Sequence, residues 1–267
     1  LPWRDMGIDI VIESTGFFTS GEKAKAHLDA GAKRVVISAP AKGEGVETVM
    51  IGANDEKFDT CGPITSNASC TTNAVAPVIG ILDEAIGIER ALLNTTHAYT
   101  ASQGIVDGIA PDDFRRGRAG AANLGPSSTG AAKAMALVYP QFKGKFDGIA
   151  VRVPVPSGSI ADVTFVAKRA TSVEEVNEYL RKAATTKRWK RVFSVSDEPL
   201  VSSDILNTPY GSIADLTMTR VVGDLPAPGE ARQAGGTLVK VLAWYDNEMG
   251  YVHTLIEHVL EVAKRIK

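Results

Sequence analysis

The chain has 267 residues, 44% hydrophobic and 22% charged, with a formal net charge of −2. This length holds two modest domains or one large one, and the charge balance excludes the basic excess of a nucleic-acid or anionic-membrane binder. No apolar run approaches the ~18 residues of a membrane span, and two cysteines, Cys61 and Cys70, are too few for a disulfide framework and fit a reducing, cytoplasmic setting.

Ile8 to Glu13 is a short β-rich run closed by the turn Ser14-Thr15-Gly16. It lies almost at the start of the chain, with neither a signal-peptide pattern nor an initiator methionine before it, so the chain is expected to begin inside a larger fold. Ser20 to Ala30 reads as a helix stopped by Gly31, and Arg34 to Ser38 as the next strand; strand, helix and strand at this spacing form a βαβ unit. Thr48–Ile51 and Ile64–Ser66 are further strand candidates. Val75, Val78, Ile79, Leu82, Ala85 and Ile86 recur at helical spacing before Gly87, which predicts a helix opening near Cys70.

Beyond Gly87 the pattern changes. Arg90–His97 reads as a strand, and Ala98–Asn123 has no clear periodicity, which in compact domains marks a functional or interface-forming loop. Thr129–Tyr139 is a predicted helix with Ser127 or Ser128 as cap candidates. Gly148–Val155 and Ile160–Ala167 alternate as strands, and Ser172-Val173-Glu174-Glu175 is a capping box opening a helix towards Lys187. Leu200–Ser203, Ile213–Val222 and Thr237–Trp244 are strand candidates. Asp246 caps a final helix whose apolar stripe is Met249, Val252, Leu255, Ile256, Val259 and Val262. The second part is thus in α+β order, unlike the βαβ start.

The run Ser66-Asn67-Ala68-Ser69-Cys70-Thr71-Thr72-Asn73 carries the chemistry. It sets a thiol at a helix N-terminus, where free amides and the helix dipole are expected to favour a thiolate and to receive an anionic substrate group. His97, in a Thr/Tyr/Thr setting at a strand end, is a candidate acid–base partner if the two side chains meet. His27, His253 and His258 fall in helical patterns as surface or packing residues. Arg115-Arg116-Gly117-Arg118 is a basic cluster suited to phosphate, to a solvated loop or to an ion-pair network between subunits. Arg152 lies within an apolar strand and needs a partner there, a structural carboxylate or a bound oxyanion. Thr129-Gly130 opens a helix, either as a plain cap or as an anion cradle. No metal-ligand spacing and no Gly-x-Gly-x-x-Gly loop occurs. The residues alone indicate a cysteine-dependent α/β enzyme acting on a phosphorylated or anionic substrate.

Taken together, Glu13-Ser14-Thr15-Gly16, Ser38-Ala39-Pro40, Ser66 to Asn73, Thr96 to Thr100, Ser128 to Ala134, Arg152-Val153-Pro154 and Trp244 to Glu248 resemble, in order and across essentially the whole chain, the phosphorylating glyceraldehyde-3-phosphate dehydrogenases. The resemblance implies an α/β protein with part of a doubly wound, Rossmann-type NAD-binding domain (residues 1–69 and a closing helix at 246–267). An α+β catalytic domain with a mixed or antiparallel sheet would span 70–245. It implies Cys70 as the nucleophile that attacks the aldehyde and His97 as the base, with a thioester then cleaved by inorganic phosphate. Thr100 and Arg152 resemble holders of the substrate's own phosphate. Ser69, Thr71, Thr129 and Gly130 resemble the cradle for attacking phosphate, with Arg116 between the two. Thr15, Ser38, Asn247 and Tyr251 resemble contacts to the cofactor, NAD as the family default over NADP. The long loop after His97 is expected at the centre of a homotetramer.

The chain also departs from the family pattern. The glycine-rich nucleotide fingerprint and ribose-binding acidic residue are expected before Leu1, Ala74 stands where a second cysteine is common, and Gly223–Gly236 is longer than the usual hairpin, as a surface loop. Two rival readings are a dehydrogenase for another phosphorylated aldehyde such as erythrose 4-phosphate, against which Ser128-Thr129-Gly130 speaks, and a Cys–His hydrolase or acyltransferase without redox chemistry. A third is a non-catalytic binding fragment.

Overall fold

A computed structural model of the chain describes residues 1–110, 113–223 and 235–266. Two sheets organise these residues. The first is built from β1 (Ile10–Glu13), β2 (Arg34–Ile37), β3 (Glu47–Thr48) and β4 (Ile64–Ser66), all parallel and in the order β1-β2-β4-β3. Helix α1 (Gly21–Asp29) makes the crossover from β1 to β2, and Ser20 caps it through its hydroxyl. The second sheet is mixed and has seven strands: β5 (Ile88–Ala98), β6 (Gly125–Ser128), β7 (Phe146–Val153), β8 (Ser159–Thr171), β9 (Phe193–Ser196), β10 (Ser212–Val222) and β11 (Gly236–Tyr245). They lie in the order β6-β7-β5-β8-β11-β10-β9. The α/β class with a parallel sheet followed by a mixed one is therefore as the sequence implies.

Helix α2 (Cys70–Ile86) runs from the first sheet onto the second. Its apolar residues Val75, Val78, Ile79 and Leu82 are fully buried in one core with Val163, Phe165, Val241 and Ala243. Burial of such side chains contributes roughly 1.5–3 kcal/mol each, so α2 is held by its packing as much as by its caps. Helices α3 (Ala131–Val138) and α4 (Val173–Ala184) cover the same side of the seven-stranded sheet. Helix α5 (Met249–Ala263) returns to the first sheet, where His258 bonds Thr65 of β4 and Thr254 receives a bond from Asn67.

Several expectations need correction. Val49–Ile51 do not extend β3: they are buried in a turn fixed by Asn54, whose Oδ1 accepts from the Met50 amide and whose Nδ2 donates to the Thr48 carbonyl. Leu200–Ser203 is not a strand, because the Asp204 carboxylate folds the segment back onto the Val201 amide. The strand of that region is β9, which pairs parallel to β10. Ser127 and Ser128 are not helix caps but part of β6, an edge strand where Pro126 is tolerated because one side has no partner among the described residues. The cap contact of α3 comes from Thr129, whose hydroxyl accepts from the Ala131 amide. Helix α4 stops at Ala184, short of Lys187. Asp246 does hold the start of α5, accepting from the amides of Glu248 and Met249. Between Ala98 and Gly125 the described residues form neither helix nor strand. The expected surface loop falls mainly on 224–234, outside the described residues.

Candidate active site

The turn from β4 into α2 makes the site. Ala68 takes a left-handed conformation (φ 56°), an unfavourable one for a residue with a Cβ, and is fully buried there. Ser69 then caps α2, its Oγ accepting from the Thr72 amide at 3.1 Å. Cys70 is the first helical residue, half-buried, among amides that no intrahelical carbonyl satisfies.

Strand β5 ends beside it. The Cys70 Sγ lies 3.4 Å from His97 Nε2. On β5's other flank, the parallel register of β7 sets Arg152 opposite His97. Arg152 Nη1 lies 2.7 Å from His97 Nδ1 and 3.1 Å from the Ala98 carbonyl oxygen, which is itself 2.7 Å from Nδ1. The half-buried Arg152 thus has a ring and a carbonyl as its contacts. Tyr245 completes the floor: its hydroxyl bonds Thr71 Oγ1 at 2.9 Å and Thr95 Oγ1 at 2.7 Å, and its ring meets His97 edge-on at 5.7 Å.

Electrostatics correct one expectation. Burial pushes the Cys70 thiol up, and the opposing bonds from Thr71 and charge of Arg152 do not offset it. Burial, aided by the Arg152 charge, holds His97 down at about 4. At neutral pH the pair is therefore a thiol facing a neutral imidazole, not the thiolate expected from the helix terminus alone. Desolvation of the sulfur outweighs the hydrogen bonds that the backbone amides of Cys70 and Thr71 supply at the helix end.

The remaining candidates fall into three groups. Thr71 is 4% exposed with its hydroxyl taken by Tyr245, so its backbone amide is what it offers to a ligand. Thr129 and Gly130 open α3, and Arg116 approaches them, its Nε donating to Ser127 Oγ at 3.0 Å and its Nη2 contacting the Ser128 carbonyl at 3.4 Å. Thr100 follows His97 on the loop, its hydroxyl 2.9 Å from that of Ser102. Asn247 Oδ1 accepts from the Gly158 amide and the Ser159 hydroxyl, which orients its Nδ2 as a free donor. Tyr251 donates to the Ala68 carbonyl and receives a contact from Ser38, tying the end of β2 to the turn before Cys70. Thr15 stands apart at the end of β1, engaged with the buried Glu13 carboxylate, and no described contact joins it to Cys70. His27, read as a surface or packing residue, bonds the other oxygen of that carboxylate at 2.7 Å.

Two contributors were not singled out from the sequence. Tyr245 lies inside the Trp244–Glu248 run, which flagged the segment but not the hydroxyl. Ser159 links Asn247 to the end of β5, accepting from the Ala98 amide; as one serine at a strand start it carries no pattern of its own.

A family profile described as the glyceraldehyde 3-phosphate dehydrogenase C-terminal domain matches residues 69–247. The glyceraldehyde-3-phosphate dehydrogenase of Mycobacterium avium is 50% identical over 266 residues, spanning 100% of this chain and 74% of the relative. The chain belongs to the glyceraldehyde-3-phosphate dehydrogenase family. The enzymes of the same name from Mycolicibacterium smegmatis and Zymomonas mobilis are 47% and 46% identical, again over all of this chain and 74% and 75% of theirs. Membership of this family makes the chain one of the NAD-dependent aldehyde oxidoreductases.

Proposed function

We propose that the chain oxidises D-glyceraldehyde 3-phosphate and transfers the acyl group to inorganic phosphate, giving 1,3-bisphosphoglycerate. The observation that carries this reading is the 3.4 Å approach of Cys70 Sγ to His97 Nε2 with Arg152 against the far side of the ring. The thiol proton passes to Nε2 as sulfur bonds to the aldehyde carbon, and Nε2 hands it on to the aldehyde oxygen, giving a hemithioacetal hydroxyl. With Nε2 bare again, His97 takes that hydroxyl proton while the carbon loses hydride and becomes a thioester. Phosphate then attacks that carbon and the Cys70 sulfur leaves.

Arg152 and Thr100 hold the substrate's own phosphate in this reading. The amides at Ser69, Thr71, Thr129 and Gly130 receive the attacking one, with Arg116 serving both. The donor set fits a nicotinamide cofactor: Asn247 has its oxygen occupied and its Nδ2 free to meet a carboxamide oxygen, with Tyr251, Ser38 and Thr15 along the first sheet. When bound, that cofactor accepts hydride; NAD is proposed over NADP. Residues 1–69 and 246–267 form the cofactor half and 70–245 the substrate half, a division supported by the bonds from α5 to Thr65 and Asn67. A homotetramer is proposed from the exposed Ile105, Val106, Ile109 and Phe114 of the long loop. A cytoplasmic setting is proposed as well, and among the described residues no helix is long and apolar enough to cross a membrane.

The test is phosphate-dependent NADH formation, followed by absorbance, in the wild type and in Cys70→Ser. The variant is expected to lose at least about 10³-fold in turnover. A loss under tenfold would remove Cys70 from the reaction, and acylation of Cys70 without NADH formation would favour a hydrolase or acyltransferase.

A further inference from the structure

Three atoms beside His97 compete for one proton position. Nδ1 of the ring, Nη1 of Arg152 and the Ala98 carbonyl oxygen lie within 3.1 Å of one another. If Nδ1 carries the proton, it donates to the carbonyl, and the guanidinium donates to that carbonyl only. If Nδ1 is bare, the guanidinium donates to both Nδ1 and the carbonyl, and the ring proton sits on Nε2. A guanidinium cannot accept, so only two of the three contacts are hydrogen bonds in either pattern. The two patterns have equal bond counts but opposite meaning at the sulfur. Only the Nδ1–H form turns an Nε2 lone pair towards Cys70 Sγ, and only that form can act as a base.

We infer that Arg152 couples anion occupancy to the tautomer of His97: an anion that draws the guanidinium off the ring leaves Nδ1 one partner, the Ala98 carbonyl, and fixes the Nε2 lone pair on Cys70. Arg152 is then a positioning residue for the base as well as an anion holder. The inference rests on the reading of Arg152 as a phosphate site. The rest of the surroundings agree. The groups facing the ring are Cys70 from α2, Arg152 from β7 and Tyr245 from β11, and Tyr245 is bonded to Thr71 and Thr95 rather than to a ring nitrogen. Arg152 has no bond to a carboxylate among the described residues. Arg116 is near enough for its charge to disfavour that of Arg152, so two cations share a region that an anion would stabilise. An anion there would also screen the Arg152 charge, which adds to burial in holding His97 down, and so ease transfer of the thiol proton to the ring.

The experiment is nitrogen NMR of the full chain labelled with ¹⁵N-histidine, with His97 assigned by its loss in His97→Asn. A nitrogen bearing a proton resonates well upfield of a bare one, so the spectrum reads the tautomer directly. Spectra are taken without anion, with inorganic phosphate, and with glycerol 3-phosphate, a phosphate ester lacking the aldehyde; calorimetry records binding of each. Either anion is expected to move His97 to a single Nδ1–H form, and the more effective one identifies the source that Arg152 serves. Arg152→Leu is expected to show the Nδ1–H form without anion and no further response. Binding of both anions with no change at His97 would overturn the coupling while leaving the phosphate site intact. An anion response retained in Arg152→Leu would overturn it too. Absence of binding would overturn both the coupling and the phosphate-site reading. The wild-type titration decides the matter even if Arg152→Leu does not fold.

Discussion

His97 and His258 are buried to nearly the same extent, and burial holds each at about 4, yet only His97 is proposed to carry chemistry. Each meets an aromatic ring edge-on, Tyr245 in one case and Phe58 in the other. The difference lies in their hydrogen bonds. His258 Nδ1 faces the Val49 carbonyl, which can only accept, and its Nε2 faces the Thr65 hydroxyl at 2.8 Å. One tautomer satisfies both, Nδ1–H to carbonyl and hydroxyl to Nε2. His97 has a contested Nδ1 and, at Nε2, a sulfur that can give up its proton. Burial fixes the charge of a histidine; its partners decide whether the ring can move a proton.

The comparison breaks most sharply under substitution. His97→Asn is expected to lower turnover by about 10²–10⁴, the usual contribution of a positioned general base. His258→Asn, assayed where it remains folded, is expected to stay within about twofold of wild type, since no bond joins it to the site. Steady-state kinetics on both variants check this, and comparable losses in the two would undo the functional distinction.

A second effect is shared by both rings and concerns stability. Unfolded histidine binds a proton below about pH 6.5, whereas these folded rings do so only near 4. Between those values the unfolded state holds more protons, so folding stability is fully present above pH 6.5 and is lost as pH falls towards 4. Each ring contributes on the order of 3 kcal/mol over that window. Urea unfolding at pH 7.5 and pH 5 is expected to show a lower midpoint at pH 5, with roughly half the drop removed in His258→Asn. Below about pH 4.5 a carboxylate adds its own loss. Burial would raise the Glu13 carboxyl, but the bonds from Thr15 and His27 outweigh it and hold that group low. An unfolding midpoint independent of pH from 7.5 to 5 would contradict the neutral state assigned to both histidines.

The same two residues mark what a sequence discloses. His97 was legible because Thr95, Thr96, Tyr99 and Thr100 give it a hydroxyl-rich setting at a strand end, and because the Cys70 run announced a partner. The capped helix behind Cys70 was legible from its apolar spacing and Gly87. His258 was legible only as one helix residue among others; its bonds to Thr65 and Val49 join positions 193 and 209 residues apart. The triangle at Nδ1 was hidden for the same reason, since it depends on the register between β5 and β7. The protonation state of Cys70 was misjudged because helix position is local and visible, whereas desolvation is set by side chains from three distant elements. β6 was missed because a proline in an edge strand reads as a loop.

The smallest expected effect isolates the hydrogen bond that makes His258 static. Thr65→Val keeps the shape of a fully buried side chain but removes the hydroxyl that donates to Nε2. The ring then has a buried bare nitrogen with no donor. The cost is that of an unsatisfied buried acceptor, about 1–3 kcal/mol, partly offset by the greater apolarity of valine. A net loss of about 1 kcal/mol is expected in urea unfolding at pH 7.5, with turnover unchanged. Raising the acidity does not recover it, because a protonated His258 would need an acceptor at Nε2 and valine provides none. The variant should therefore remain less stable than wild type at pH 5 as well. Recovery of wild-type stability at pH 5 would mean that the loss at pH 7.5 does not come from the unsatisfied Nε2, and would remove the Thr65 bond as what holds His258 static.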